Sequence, residues 1–175
     1  MKFKFLFFLF FTMFLSADGI KLPMAFDSSF TQEIISPKNK KIIYKGRVLY
    51  SDKSLLKWIY AAPTKKEVCT NGKEVVIVDN DLEQVSFYTI NKGFNLPEVL
   101  KSSKKEANGT FSAKYQKKNY NIKLNSNGEL LQVFYVDDLD NKVTINFNGI
   151  KYKNKSIPAE NLKCIIPRNY DIARG

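Results

Sequence analysis

The sequence predicts a mainly β domain in which consecutive antiparallel strands follow one another along the chain. Three observations predict it: short segments rich in apolar and β-branched residues recur throughout, Asn-Gly dipeptides lie between them, and no long helical pattern separates them. Parallel strands need crossover connections of a dozen or more residues, usually helices. The sequence therefore argues against a parallel α/β sheet.

Eleven segments have the length and composition of strands. They are 30–36, 42–50, 55–60, 66–70, 74–79, 82–90, 109–115, 119–125, 129–136, 142–152 and 162–166. Asn-Gly favours type I′ hairpins because both residues tolerate positive φ. Asn71-Gly72 and Asn127-Gly128 each lie between two of these segments, so we predict hairpins at both positions.

Helices are predicted to be few and short. Residues 96–104 are the best candidate, with Pro97 near the start, where a helix tolerates proline. A weak helix over 20–28, limited by Pro23, and a single turn over 158–162 are the other candidates.

The first seventeen residues have the pattern of a secretory signal peptide. Lys2 and Lys4 form a basic start, 5–15 is a short apolar stretch, and 15–17 is a candidate cleavage site. An uncleaved N-terminal anchor is the alternative. The remaining residues, 18–175, fit one domain, and the residue after the cleavage site is not a cysteine that lipids could modify. We therefore expect a soluble, exported protein.

The strand patterns indicate that part of the sheet is apolar on both faces. Segments 120–124 and 143–147 alternate cleanly and have one polar face, whereas 55–60 and 75–78 are apolar on both. The sheet could curl on itself as a small barrel, pack against a second sheet, or line a cavity for an apolar ligand. Because apolar strand faces are usually packed core, the pattern alone favours the first two arrangements over a cavity.

The two cysteines, Cys69 and Cys164, permit a disulfide because the chain is predicted to be exported. Both fall in predicted strands, so pairing requires those strands to be neighbours. Two separate buried thiols are the alternative.

The formal net charge of +11 at pH 7 favours acidic partners. Most basic residues are single lysines at polar positions, without a long basic run and interleaved aromatics. An exported chain also does not meet nucleic acid. The charge therefore indicates either a solvated surface or docking on an acidic receptor or an anionic membrane.

The sequence contains no histidine, which excludes Ser-His-Asp and Cys-His catalysis and histidine-ligated metal. It has neither a Walker loop nor a GxGxxG motif. Acidic residues cluster at 79–83 and 137–140, where a carboxylate pair for glycoside hydrolysis is conceivable, but solvated turn residues are the simpler interpretation. We predict a binding protein rather than an enzyme, with no metal and no cofactor.

Four stretches occur in an order that is typical of one family. They read FDSSFTQEI at 26–34, KGRVLYSDKSLLKWIYAAP at 45–63, TNGKEVVIVDNDLEQV at 70–85 and NKVTINFNGIKYKNKSIPAENLKCIIPRNYDI at 141–172. Together they resemble the LolA family, the periplasmic carriers of outer-membrane lipoproteins in Gram-negative bacteria. The match extends over most of the chain that follows the signal peptide.

The resemblance implies a curled, incomplete antiparallel β-barrel of about eleven strands, lidded by short helices. Its apolar interior would take up the acyl chains of triacylated lipoproteins in the periplasm. The implied partners are an inner-membrane ABC-type complex that releases the cargo and an outer-membrane receptor or membrane that accepts it. The chain would act as a monomer. A lipid-sensing or receptor domain of the same fold group is the alternative.

The resemblance also suggests which residues line the acyl-chain cavity. Trp58 matches the family's aromatic strand near the cavity mouth, and Leu56 and Tyr60 lie on its side of the strand. Leu49, on the preceding strand, is the expected neighbour. Ordinary packing in the core is the alternative role for all four residues.

One departure concerns the lid. Well-studied members have an Arg in the turn before the aromatic strand that is implicated in latching the lid, whereas this chain has Asp52 followed by Lys53. Lys53 and Arg47 are the nearby cations. We therefore do not assign the latch to any residue from the sequence.

Overall fold

The computed structural model describes residues 19–52, 54–89 and 95–174. The predicted signal peptide and Lys53 lie outside these ranges. Within them, no helix is long and apolar enough to cross a membrane. The strands are β1 (Ala25–Ile35), β2 (Lys41–Ser51), β3 (Leu55–Ala62), β4 (Lys66–Thr70), β5 (Glu74–Asp79), β6 (Gln84–Thr89), β7 (Lys104–Lys105), β8 (Phe111–Tyr115), β9 (Lys118–Leu124), β10 (Leu130–Val136), β11 (Lys142–Lys153) and β12 (Asp171–Arg174).

All twelve strands belong to one sheet, in the order β12-β6-β5-β4-β3-β2-β1-β11-β10-β9-β8-β7. The first six strands form one antiparallel meander, and β7 to β11 form a second. The long antiparallel pairing of β1 with β11 joins them, whereas β12 adds to β6 in parallel. The sheet does not close, so the predicted incomplete β-barrel is confirmed.

Contacts across the sheet show how strongly it curls. Trp58 on β3 and Phe147 on β11 are separated by three strand spacings, about 14 Å on a flat sheet. Their ring centroids are only 6.2 Å apart. The sheet therefore wraps around one apolar face, which we call the inner face.

The predicted strands from 30–36 to 142–152 are confirmed, but two predictions at the ends are wrong. Residues 20–28 do not form a helix, since β1 begins at Ala25 and its alternate residues Phe26 and Phe30 are buried on the inner face. Pairing with strands on both sides overrides a weak local helix preference here. Residues 162–166 are not a strand either, and no described strand includes Cys164.

The predicted hairpins are present, although with different turn geometry. Asn71-Gly72 joins β4 to β5 and Asn127-Gly128 joins β9 to β10, with φ of +86° and +78° at the glycines. The asparagines themselves are not in the left-handed region. Consecutive positive φ angles, as in a type I′ turn, occur instead at Gln116 and Lys117 between β8 and β9.

The helix predicted over 96–104 is confirmed as α1 (Leu96–Lys101). Asn95 caps it by accepting a hydrogen bond from Glu98 N–H, 3.4 Å away, which satisfies one of the free donors of the first turn. The predicted single turn is also present as a 3₁₀-helix at Ala159–Leu162.

The C-terminal tail, residues 154–170, lies on the outer face of the sheet and leads into β12. Ser51 Oγ donates to the carbonyl of Ile157 at 3.2 Å and accepts from its N–H at 3.0 Å. Further along, the tail is joined to β4 by a Cys69–Cys164 disulfide, with the two Cα atoms 5.7 Å apart. Cys69, Val78, Val85 and Leu162 are buried outside the main core.

A buried lysine strengthens this attachment. Lys57 lies on the outer face, 7% exposed, with Nζ 2.8 Å from a carboxylate oxygen of Glu67 and 3.1 Å from the carbonyl of Lys163. A buried charge is costly unless it is paired and hydrogen-bonded, and both conditions hold here. The strands that looked apolar on both faces are thus covered by the curled sheet on one side and by the tail on the other.

Candidate functional site

The pairing of β2 with β3 decides which predicted site residues share the inner face. Trp58 is opposite Val48 and Leu56 is opposite Tyr50, and paired residues of neighbouring strands project to the same side. Leu56, Trp58 and Tyr60 alternate along β3 and join the main core with these partners. The structure therefore brings three of the four predicted lining residues together.

The expectation that Leu49 shares this face is wrong. Leu49 is opposite Lys57 and projects to the outer face with it. Val48 occupies the inner position beside Trp58 and is fully buried. Both residues are apolar, so the composition of β2 did not reveal which of them faces inward.

Aromatic rings form much of the inner face. Phe30 lies edge-on to Trp58 and Tyr60, with centroid distances of 4.8 and 5.1 Å. Phe26 stacks on Tyr50 at 5.1 Å, further along the same face. These packing arrangements are favourable for aromatic pairs and give a continuous apolar surface across β1, β2 and β3.

Helix α1 closes one end of the inner face. Leu96, Val99 and Leu100 are almost completely buried in the core. Immediately after the helix, Ser103 Oγ accepts a hydrogen bond from Ile20 N–H at 3.2 Å, which ties the described N-terminal segment to the same end. This helix and segment are the lid of the structure.

The opposite end of the inner face is more open. Ile42 is 47% exposed, and Tyr44, Val68 and Ile77 are half-buried. Tyr60 lies just inside this end and donates a hydrogen bond from its hydroxyl to Gln32 Oε1 at 3.1 Å. Burial, followed by the nearby Tyr44, raises the pKa of Tyr60 well above its ordinary value, so its hydroxyl stays protonated and remains a donor.

Of the two described residues near the position of the expected Arg, Arg47 does not contact the lid and Asp52 contacts only its N-terminal segment. Arg47 projects to the outer face, where Nε donates to Asp27 Oδ1 at 2.8 Å. Asp52 donates its backbone N–H to the carbonyl of Met24 at 2.7 Å, at the end of that segment. The apolar face of α1 and the hydrogen bond between Ile20 and Ser103 are the other contacts that hold the lid.

The acidic clusters stabilise turns. Asp79 Oδ1 accepts the N–H groups of Asp81 and Leu82, and Asp137 Oδ1 accepts those of Leu139 and Asn141. The two carboxylates thus serve as backbone hydrogen-bond acceptors within the turns, which explains why acidic residues occur at these strand ends.

Comparisons with known proteins agree with this architecture. Residues 24–161 match the family model described as outer membrane lipoprotein carrier protein LolA. An outer-membrane lipoprotein carrier protein of Campylobacter jejuni is 40% identical over 149 residues, covering 85% of this chain and 86% of the relative. The protein of the same description from Wolinella succinogenes is 33% identical over 125 residues, covering 71% and 73%.

A solved structure supports the fold independently. The crystal structure of an uncharacterized conserved protein from Thermus thermophilus has a TM-score of 0.55 and 12% identity, covering 88% of this chain and 92% of the other. At that identity the likeness concerns the fold alone. The family match and the curated relatives carry the assignment: the chain belongs to the LolA family of outer membrane lipoprotein carrier proteins.

Proposed function

We propose that this chain carries lipoproteins between membranes by holding their acyl chains against the inner face of the sheet. The observation that supports the proposal most directly is the continuous apolar face along β3. Leu56 and Trp58 are buried under the curled sheet, and the face becomes half-exposed toward Tyr44 and Ile42. An acyl chain entering from the open end would replace the contacts of α1 with its own.

The magnitudes are compatible with such an exchange. Burial of the three apolar side chains of α1 contributes roughly 5–9 kcal/mol, at about 1.5–3 kcal/mol each. A single acyl chain that buries about 14 methylene groups gains ~11 kcal/mol. Cargo can therefore displace the lid, and the lid competes strongly enough to favour release once another apolar site accepts the chains.

In this proposal the carrier works in the periplasm after removal of residues 1–17. Its partners are triacylated lipoproteins, an inner-membrane ABC-type complex that loads them, and an outer-membrane receptor or membrane that accepts them. The sequence contains no nucleotide-binding motif, so the energy for loading belongs to the inner-membrane complex. The carrier itself needs no catalytic residue.

The direct test is release of a labelled triacylated lipoprotein from inner-membrane vesicles that contain the cognate transporter. We expect ATP-dependent transfer of the label to the purified chain. Trp58→Ala should transfer less than Leu49→Ala, because only Trp58 lies on the inner face. Thermal unfolding would establish that both variants are folded. Absence of transfer to the wild-type chain in the presence of ATP would refute the proposal.

A further inference from the structure

Lys66 projects onto the apolar inner face near its open end. Lys66 is opposite Tyr60 in the pairing of β3 with β4, and Val68 is opposite Trp58. The side chain of Lys66 therefore lies on the same face as the predicted acyl-chain contacts. It is half-buried, whereas the preceding Lys65 is exposed.

Two tyrosines hold the ammonium group of Lys66. Its Nζ lies 5.1 Å from the ring centroid of Tyr44 and 4.9 Å from that of Tyr60. The two rings are edge-to-face with centroids 5.7 Å apart. The hydrogen bond of Tyr60 to Gln32 fixes the second ring, so the cation is positioned rather than extended into solvent.

This cation lacks a neutralising partner among the residues that the structure describes. Asp79 is opposite Lys66 in the pairing of β4 with β5. However, Asp79 Oδ1 accepts hydrogen bonds from the turn that follows, and no described carboxylate lies within 4.0 Å of Lys66 Nζ. An ammonium group whose contacts with the described residues are aromatic rings retains strong hydrogen-bond donors for a ligand.

We propose that Lys66 binds the polar end of the acylated cargo, namely the ester and amide carbonyl oxygens of the lipid-modified cysteine. This inference rests on the proposed function and assigns the orientation of the ligand. From Tyr60 to Leu56 the inner face extends about 13 Å away from the open end, at ~3.3 Å per residue. Acyl chains would follow that strip toward α1, and their carbonyl groups would remain beside Lys66.

Two probes separate this role from general packing. A fluorescent triacylated lipopeptide with an uncharged peptide carries the carbonyl groups, whereas N-phenyl-1-naphthylamine is an uncharged apolar dye without them. We expect Lys66→Met to weaken lipopeptide binding about tenfold, the effect of one hydrogen bond to a charged group. Binding of the dye should change less than twofold. Lys66→Arg should restore lipopeptide affinity, and Lys65→Met is the matched control.

The outcomes distinguish the two proposals. If wild-type chain and Lys66→Met bind the lipopeptide equally, the role of Lys66 is refuted and the carrier function stands. If Lys66→Met loses dye and lipopeptide equally, Lys66 is a packing residue and its role in recognition is also refuted. If the wild-type chain binds the dye but not the lipopeptide, the proposed function itself fails, and the assignment of Lys66 fails with it.

Discussion

The lid competes with cargo for the inner face, and Val99→Ala tests this competition. Val99 is fully buried on α1, between the helix and the sheet. Val85 is equally buried but belongs to β6 and projects to the outer face beneath the C-terminal tail. The two substitutions remove the same atoms from comparable environments, and only the first weakens the lid.

The expected size follows from the truncation. Removing two methyl groups and leaving a cavity should lower the free energy of unfolding by about 2 kcal/mol in both variants. In our proposal α1 must leave the inner face before an acyl chain binds. In Val99→Ala the free energy needed to displace α1 is therefore lower by about the same 2 kcal/mol. Affinity for a triacylated lipopeptide should therefore rise by up to about 30-fold, since about 1.4 kcal/mol is tenfold.

The assay combines urea unfolding, read as the free energy of unfolding, with titration of the fluorescent lipopeptide. Val85→Ala should lose similar stability without a gain in affinity. Equal affinities of Val99→Ala and Val85→Ala would refute the displacement of α1 as a step in binding. Weaker binding by Val99→Ala would show that the helix contacts the ligand instead of competing with it.

Three further predictions concern other parts of the molecule. The Cys69–Cys164 disulfide joins residues 95 positions apart, so its reduction should lower the free energy of unfolding by about 4–5 kcal/mol. Urea unfolding with and without reductant measures this difference, and an unchanged free energy of unfolding would contradict the prediction. The hydrogen bond from Arg47 lowers the pKa of Asp27, so Asp27→Asn should cost about 0.5–1 kcal/mol of stability above pH ~4. This difference should vanish as the pH falls through the folded-state pKa of Asp27, and a constant difference would contradict the ion pair. Trp58, the single tryptophan, should change its fluorescence when acyl chains are added, and an unchanged spectrum would exclude it from the site.

Local patterns were sufficient to predict most of the sheet. Alternation defined strands such as β9 and β11, and Pro97 marked the start of α1 correctly. The inward position on β2 was not predictable, because Val48 and Leu49 are both apolar and only the pairing with β3 separates them. The resemblance to a family indicated the strand beside β3 without fixing which of its residues faces inward.

The path of the C-terminal tail over the sheet was beyond prediction for a different reason, although its single turn at 159–162 was predicted. The tail has no periodic pattern of apolar residues that would predict its structure. Its position depends instead on contacts with residues far away in the sequence. Ile157 reaches Ser51 and Lys163 reaches Lys57, each across 106 positions. The even number of cysteines in a chain predicted to be exported indicated a possible Cys69–Cys164 disulfide. It did not indicate that the tail would lie on the outer face of the sheet.

The open barrel has two strand edges, and both are blunted. On one side β12 covers β6 with only four paired residues, and on the other β7 is a two-residue strand made of Lys104 and Lys105. Exposed edges recruit extended polypeptides by backbone hydrogen bonding, and short or lysine-bearing edge strands oppose this. A carrier that transports other chains at close range can thus keep its sheet from templating aggregation of its own cargo.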